Sequence, residues 1–524
     1  MVLPNPHLFS SLPSFSSLKK LAQDPIDLTQ EGVLNENRLE EYSLQAAKWH
    51  LLYATERVNS AVIQALIDLA RESHAVAAMR EMQRGEWTHD NLPVTHTALR
   101  LASQTSDLAA PAQRAVKMQR ETHKRLETLL PKLCQEEGRD TLVVIGIGGS
   151  DLGTRAIYNA LRPLALPQRR IFFVSNIDPQ EVLAITDKVT AKKTLFLSIS
   201  KSGSTQETLN NEQFLRDWLC KQGFEPRDQW MAITDLGSPM DDAHRYREVF
   251  HLPSGVGGRY SVTSVVGSLP LIFAFGSKIH REFLEGAHQM DCIALKENPL
   301  ENLPLFAALL GIWNHNFLRI PTEAIIPYHS FLHSFITHLQ QCSMESNGKA
   351  ALRTGESISW HTAPILWGEV GTNAQHSFFQ WIHQSGECAA LSFIGFQRNR
   401  LGDSQNQAVL NLQRQLLSNL FAQALSLAKG KPSSSAIDHF TGNRPSHILF
   451  GEEFAPHQLG SLLAYHEHKI AFQGFIWGIN SFDQPGVQLG KEMAQNFAQM
   501  LSESQEKRPV SSSLPLAFYR RFFP

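Results

Sequence analysis

Cysteine is scarce in this sequence and shows no pairing pattern. Cys134, Cys220, Cys292, Cys342 and Cys388 are odd in number, scattered, and free of any CxxC spacing. They do not form a disulfide framework or a zinc ribbon and read as thiols of a reducing cytosol. An excess of charge is also missing. The 48 Lys and Arg stand against 50 Asp and Glu, a net charge of −2, so no nucleic-acid surface is expected. No apolar run approaches the roughly 20 residues of a membrane span. The opening MVLPNPHLFSSLPSF has neither a basic start nor a continuous apolar stretch and does not read as a secretory leader. The 22 histidines fall into no metal-ligand spacing, and His466-Glu467-His468 is too tight for a helical His-x3-His pair. No metal site is expected.

What is present is a chain of 524 residues, 42% hydrophobic and 19% charged. That is the balance of a globular enzyme with a large core, divided into about three or four domain-sized units. Its organising stretch is Thr141–Leu161, TLVVIGIGGSDLGTRAIYNAL. An apolar, β-branched run predicts a strand buried on both faces. Gly146, Gly148, Gly149 and Gly153 follow, then apolar positions at helical intervals. Strand, glycine turn and helix start make an anion site, because backbone N–H groups approach the ligand and the helix N-terminus is partially positive. Asp151 stands where a dinucleotide fingerprint needs its third glycine, and Gly153-Thr154-Arg155 is no Walker loop. A small phosphate held by Gly149 and Ser150 fits better, and a tight packing turn is the plain alternative.

Residues 1–40, rich in Ser, Pro and Leu, predict an irregular arm. An apolar stripe from Leu44 to Leu69 predicts helix over 41–74, and a second face, from Met118 to Leu133, predicts more helix over 95–134. From 141 the pattern alternates. Strands are expected at 141–147, 171–176, 194–200 and 230–235, with helices between, which implies a parallel sheet with ligands at its carboxyl ends. The third strand runs into SISKSGSTQETLNN, where Ser200, Lys201, Ser202, Ser204 and Thr205 suit a phosphate monoester or a helix cap. Arg259 follows Gly255, Gly257 and Gly258. It either reaches into a cleft or pairs with a surface carboxylate. A second alternating region predicts strands at 323–328, 389–396 and 448–450 and helices at 330–341, 373–384, 405–428 and 458–478. Within it, QQCSMESNGK (340–349) and GEVGTNAQHSFFQWIHQSG (368–386) are rich in amides that suit sugar hydroxyls. His376 alone reads as a locally bonded histidine. Gln484 and Lys491, seven apart, share a helical face, and spacing alone gives Lys491 no role. The end of the chain reads as a tail docking through Phe518, Phe522 and Phe523.

Six motifs, in order, resemble the glucose-6-phosphate isomerase (phosphoglucose isomerase) family: GIGGSDLG (146–153), SKSGSTQET (200–208), GGRYS (257–261), QQCSMESNGK (340–349), GEVGTNAQH (368–376) and SFDQPGVQLGK (481–491). The resemblance implies an α/β fold of two sugar-isomerase (SIS) domains, each a mostly parallel sheet flanked by helices, with helical extensions at both ends. The expected division is 1–110 for the N-terminal arm and helices, 111–285 and 286–500 for the two SIS domains, and 501–524 for the tail. It implies a cytoplasmic homodimer that interconverts glucose 6-phosphate and fructose 6-phosphate without a cofactor. Gly149, Ser150, Ser200, Lys201, Ser202 and Thr205 would hold the phosphate. Glu345 would be the base moving a proton between C1 and C2 through a cis-enediol(ate), and Arg259 would stabilise its charge. His376, from the neighbouring subunit, and Lys491 would assist ring opening, and Gln341 and Gln484 would contact the sugar.

The residue types agree with that chemistry. A carboxylate can be tuned as the base, a guanidinium stays charged in a dry site, and a distant phosphate orients the sugar. Three departures from the family pattern stand out. Ser202-Gly203-Ser204 replaces a common Thr-Phe-Thr, which bears on loop rigidity. Pro485 replaces Trp, and Gln488 replaces Glu three residues before Lys491. Losing that carboxylate predicts an altered pH dependence of ring opening. The alternatives are a bifunctional glucose/mannose-6-phosphate isomerase and a non-catalytic sugar-phosphate sensor, which would not need Glu345, Arg259 and His376. A dinucleotide-dependent oxidoreductase is disfavoured by Asp151.

Overall fold

The structure is a computed structural model, described for residues 8–89, 92–100, 106–399 and 406–505, with Leu514, Ala517, Phe518, Arg521 and Phe522. Met1–Ser481 forms one compact unit and Phe482–Pro524 a second.

The first unit is α/β, built on two large sheets, with a two-stranded ribbon of Thr88–His89 and Leu92–Pro93 besides. The five-stranded sheet has the spatial order Arg170–Val174, Thr141–Ile145, Thr194–Ile199, Trp230–Thr234, Glu248–His251, and every pairing is parallel. Its central strands are apolar on both faces because helices cover both. Val143, Ile145, Phe196 and Trp230 pack with Val182, Leu215 and Leu219 in one core. The six-stranded sheet runs Ser43–Ala46, Trp49–Leu52, Ser446–Phe454, Ala390–Asn399, Thr322–Pro327, Ile365–Gly368, and its last four strands are parallel. Leu391, Phe393 and Ile448 pack there on Leu420, Ala424 and Leu427 of the helix Gln407–Lys429.

The helical segment Val265–Ile293, broken by a kink at Gly276 with φ of 79°, and the helix Pro456–Trp477 pack on each other and join the two halves. No helix among the described residues is long and apolar enough to cross a membrane.

Several expectations are corrected. The helix expected over 41–74 begins only at Ser60, where Asn59 caps it by accepting from Val62 N at 3.0 Å. Residues 43–52 form an antiparallel hairpin that edges the second sheet. Its two-residue turn, Ala47-Lys48, has φ of 51° and 64°, the left-handed pair a tight hairpin requires. Trp49 is wholly buried, and its Nε1 donates to Ser461 Oγ at 3.0 Å. The N-terminal arm is not irregular beyond residue 8. It holds the helices Pro13–Leu21 and Glu36–Glu41, and buries Phe9 and Leu18 completely. The helix expected at 373–384 is two short ones, Gly371–Gln375 and Phe379–Gln384. Strands Glu248–His251 and Ile365–Gly368 were not foreseen. In the second unit the helix Gln488–Gln505 follows Pro485–Val487. Phe518 and Phe522 pair with each other at 5.9 Å, and Phe523 lies outside the described residues.

A buried polar chain crosses the second sheet. Glu323 receives Lys469 Nζ at 2.5 Å and Ser392 Oγ at 2.7 Å. Ser392 meets His447 Nε2 at 2.9 Å, and His447 Nδ1 meets Glu56 at 2.8 Å. Burial pushes the Glu323 carboxyl up, but the Lys469 ammonium and the hydrogen bonds outweigh it and hold the group down at about 2. A folded value below the unfolded one stabilises the protein above the unfolded value and loses that stabilisation as pH falls. Glu323→Gln is therefore expected to destabilise the neutral protein by about 3 kcal/mol, because Lys469 stays buried without its partner. It is also expected to flatten the loss of stability between about pH 5 and about pH 2. Urea unfolding of both proteins across that range checks it, and parallel curves would exclude it.

Candidate active site

Two loops leave adjacent parallel strands of the first sheet at their carboxyl ends, where Ile145 lies opposite Ser198. The first turns at Gly148, with φ of 61°, and feeds the helix Leu152–Leu161. Gly149 backs directly onto Gly258 and Arg259. A Cβ there would overlap the Gly258 carbonyl and lie 2.6 Å from Arg259 N. Ser261 Oγ donates to Gly149 O at 3.1 Å, closing the same contact. Asp151 is buried and receives Arg155 Nε at 2.9 and 3.1 Å. Burial raises its carboxyl, and Arg155 opposes that rise.

The second loop is held by its own hydroxyls. Ser200 Oγ lies 2.8 Å from Thr205 Oγ1, Ser204 Oγ donates to Ser202 Oγ at 2.9 Å, and Lys201 Nζ donates to Val256 O at 3.1 Å. Gly203 sits at φ 66°, and a Cβ there would come within 2.9 Å of Met240 N. At this departure from a bulky residue the backbone lies in the left-handed region, packed on Ser238 and Met240, and is tied by Gly203 N donating to Ser200 O at 3.1 Å.

The structure brings Arg259 and Glu345 to this place. Arg259 is 1% exposed, and its Nη1 lies 3.4 Å from Glu345 Oε1, whose side chain is 22% exposed. Arg259 thus pairs with a carboxylate, but in a buried site and not on the surface. Glu345 closes a π turn, Gln341–Glu345, that widens the end of the helix His333–Gln340. Such widening re-aims side chains and recurs at functional sites. The turn meets the first loop, since a Cβ on Gly148 would lie 3.3 Å from Gln341 Nε2. Gln341 Oε1 is buried without a hydrogen-bond partner among the described residues, an acceptor left available for a polar ligand.

Other residues of the polar clusters are engaged by the fold. Lys349 Nζ donates to Glu345 O and Ser346 O at 2.9 and 2.6 Å, and Asn347 Nδ2 to Ile470 O at 2.9 Å. Gln375 Nε2 donates to Tyr328 OH at 2.9 Å, and His383 Nε2 meets Gln423 Oε1 at 3.0 Å. His376 is exposed at the end of Gly371–Gln375. No hydrogen bond or ion pair among the described residues joins its imidazole to Glu345. Gln484 and Lys491 belong to the second unit, both exposed, with Lys491 in the first turn of Gln488–Gln505. His466-Glu467-His468 is buried structure: Glu467 pairs with Arg100, and His468 Nε2 lies 2.7 Å from Asp291. Sequence reasoning passed over Tyr260 and Ser346, which contact each other at 2.8 Å beside Arg259. Their only signal was position within GGRYS and QQCSMESNGK.

Two helix-flanked, mostly parallel sheets, with a glycine loop backing onto a buried guanidinium that pairs with a carboxylate, define an α/β protein with a polar site at the first sheet's carboxyl end. Residues 52–515 match the family model described as phosphoglucose isomerase. The chain is 45% identical over 497 residues to a glucose-6-phosphate isomerase of Chlamydia caviae, covering 94% of each chain. It is 44% identical over 516 residues to that of Protochlamydia amoebophila, covering 97% of this chain and 96% of the relative. The crystal structure of a glucose-6-phosphate isomerase from Chlamydia trachomatis superposes with a TM-score of 0.90 at 43% identity, over 95% of this chain and 97% of that one. The chain belongs to the phosphoglucose isomerase family.

Proposed function

We propose that this chain is an aldose–ketose isomerase that interconverts glucose 6-phosphate and fructose 6-phosphate. The observation that carries the reading is the Glu345 carboxylate 3.4 Å from a wholly buried Arg259, where the glycine loop backs onto Arg259. Gly149, Ser150, Ser200, Lys201, Ser202 and Thr205 hold the phosphate, which fixes the sugar and orients C1 and C2. Glu345 takes the proton from one carbon and returns it to the other, through a cis-enediol(ate). Arg259 stabilises the enediolate charge, because a desolvated, permanently charged donor is worth most there. Gln341 and Gln484 contact the sugar. The unpartnered Gln341 acceptor supports that role.

His376 and Lys491 assist ring opening, with His376 contributed across a homodimer interface. Its exposure in the single chain supports this. The five unpaired cysteines support a reducing cytoplasm.

A coupled assay of fructose 6-phosphate conversion by the purified protein tests the activity, and no turnover would overturn it. The shared site has a sharper test. Glu345→Gln and His376→Ala are each expected to be nearly inactive alone. Unfolded and refolded together, they regain about a quarter of wild-type activity, because half the random dimers are hybrids with one intact site. No regain would place His376 in its own chain's site or outside catalysis.

A further inference from the structure

The cation at the centre of the site is held by groups to which no role has been given. Arg259 Nε donates to Ser346 Oγ at 2.6 Å, and Nη2 donates to Ser481 O at 2.7 Å, while Nη1 faces Glu345. Ser346 is wholly buried and lies 2.8 Å, oxygen to oxygen, from the Tyr260 hydroxyl. The Tyr260 ring stacks on buried His96 with centroids 4.7 Å apart. Arginine can only donate, so Ser346 Oγ must accept from Nε. Its remaining capacity is met by the phenol, which burial keeps protonated.

Ser346 directly follows Glu345 in the chain. The base and the acceptor that orients its cation are therefore consecutive residues of one turn. The peptide link, the Nε bond and the Nη1 approach close a small ring of contacts around the place where charge develops.

We propose that Ser346, set by Tyr260, is a positioning residue that locks the Arg259 guanidinium relative to the Glu345 carboxylate. This rests on the isomerase reading above. A guanidinium free to turn would have to reorient as the enediolate forms, and a fixed one does not. Ser346 thus acts on turnover and little on ground-state binding, which the phosphate loops provide.

Steady-state kinetics of fructose 6-phosphate conversion test this in two backgrounds, wild type and Arg259→Lys. Ser346→Ala in the wild type is expected to lower kcat by about 10–100-fold with KM within about threefold. In Arg259→Lys, which has no Nε to hold, the same change costs less than about twofold more. Unchanged kcat, or equal losses in both backgrounds, overturns the proposal while leaving the isomerase reading intact. No turnover by the wild type overturns both. If Ser346→Ala does not fold, Tyr260→Phe, which deletes one hydroxyl, replaces it. A kcat loss that vanishes in Arg259→Lys supports the proposal, and an unchanged kcat overturns it.

Discussion

Glu345→Gln is expected to lower kcat for fructose 6-phosphate by about 10²–10⁴-fold while substrate still binds. The amide keeps the shape and some hydrogen bonding of the carboxylate but cannot accept a proton from carbon. The loops proposed to hold the phosphate are built from other residues, so KM is expected to move only a few-fold. The fold tolerates the change, because Arg259 keeps its bonds to Ser346 Oγ and Ser481 O when the carboxylate is removed. The carboxylate itself is partly exposed, and the buried guanidinium it leaves behind retains those two acceptors. Stopped assays for turnover and calorimetric titration with the substrate separate the two effects. A variant within about tenfold of wild-type kcat would remove Glu345 as the base, since a general base is worth more than that.

The parts of this site legible in the sequence were the parts that are local. The strand Thr141–Ile145 announces itself because both its faces are buried, so no polar residue interrupts it. The hydroxyl loop after Ile199 announces itself by composition. The Glu345–Arg259 pair could not be seen this way: the residues are far apart in the chain and meet only because helices of the two halves pack together. Resemblance to a family supplied that pairing, and spacing did not. The π turn was equally hidden, since nothing in QQCSMESNGK distinguishes a widened turn from an ordinary one. The hairpin at 43–52 was misread for a sharper reason. Its left-handed turn is made by Ala47 and Lys48, good helix formers, where Asn-Gly would have signalled a hairpin. Tertiary context, with Trp49 sealed in the core, overrides the helical stripe.

Gly149→Ala is expected to be far more damaging than its one added methyl suggests. The new Cβ would overlap the Gly258 carbonyl and press on Arg259 N, and those neighbours are backbone, which cannot rotate away. Either the loop withdraws from Arg259 or the GGRYS turn moves, and on the proposed reading both would separate the phosphate from Glu345 and Arg259. A shift near 1 Å costs about 10²-fold in rate even where the fold survives. Forced backbone overlap in a packed turn also belongs to the rare class of substitutions beyond about 4 kcal/mol. Gly258→Ala, on the other side of the same contact, is the control. Its Cβ would meet only Gly149 Cα at 3.6 Å, an ordinary distance. Thermal unfolding of both variants distinguishes the two: Gly149→Ala is strongly destabilised or fails to accumulate, whereas Gly258→Ala stays within a few degrees of wild type. Equal melting temperatures would mean that the two turns do not meet as closely as described. The glycine loop would then be an anion cradle mechanically independent of the arginine it adjoins.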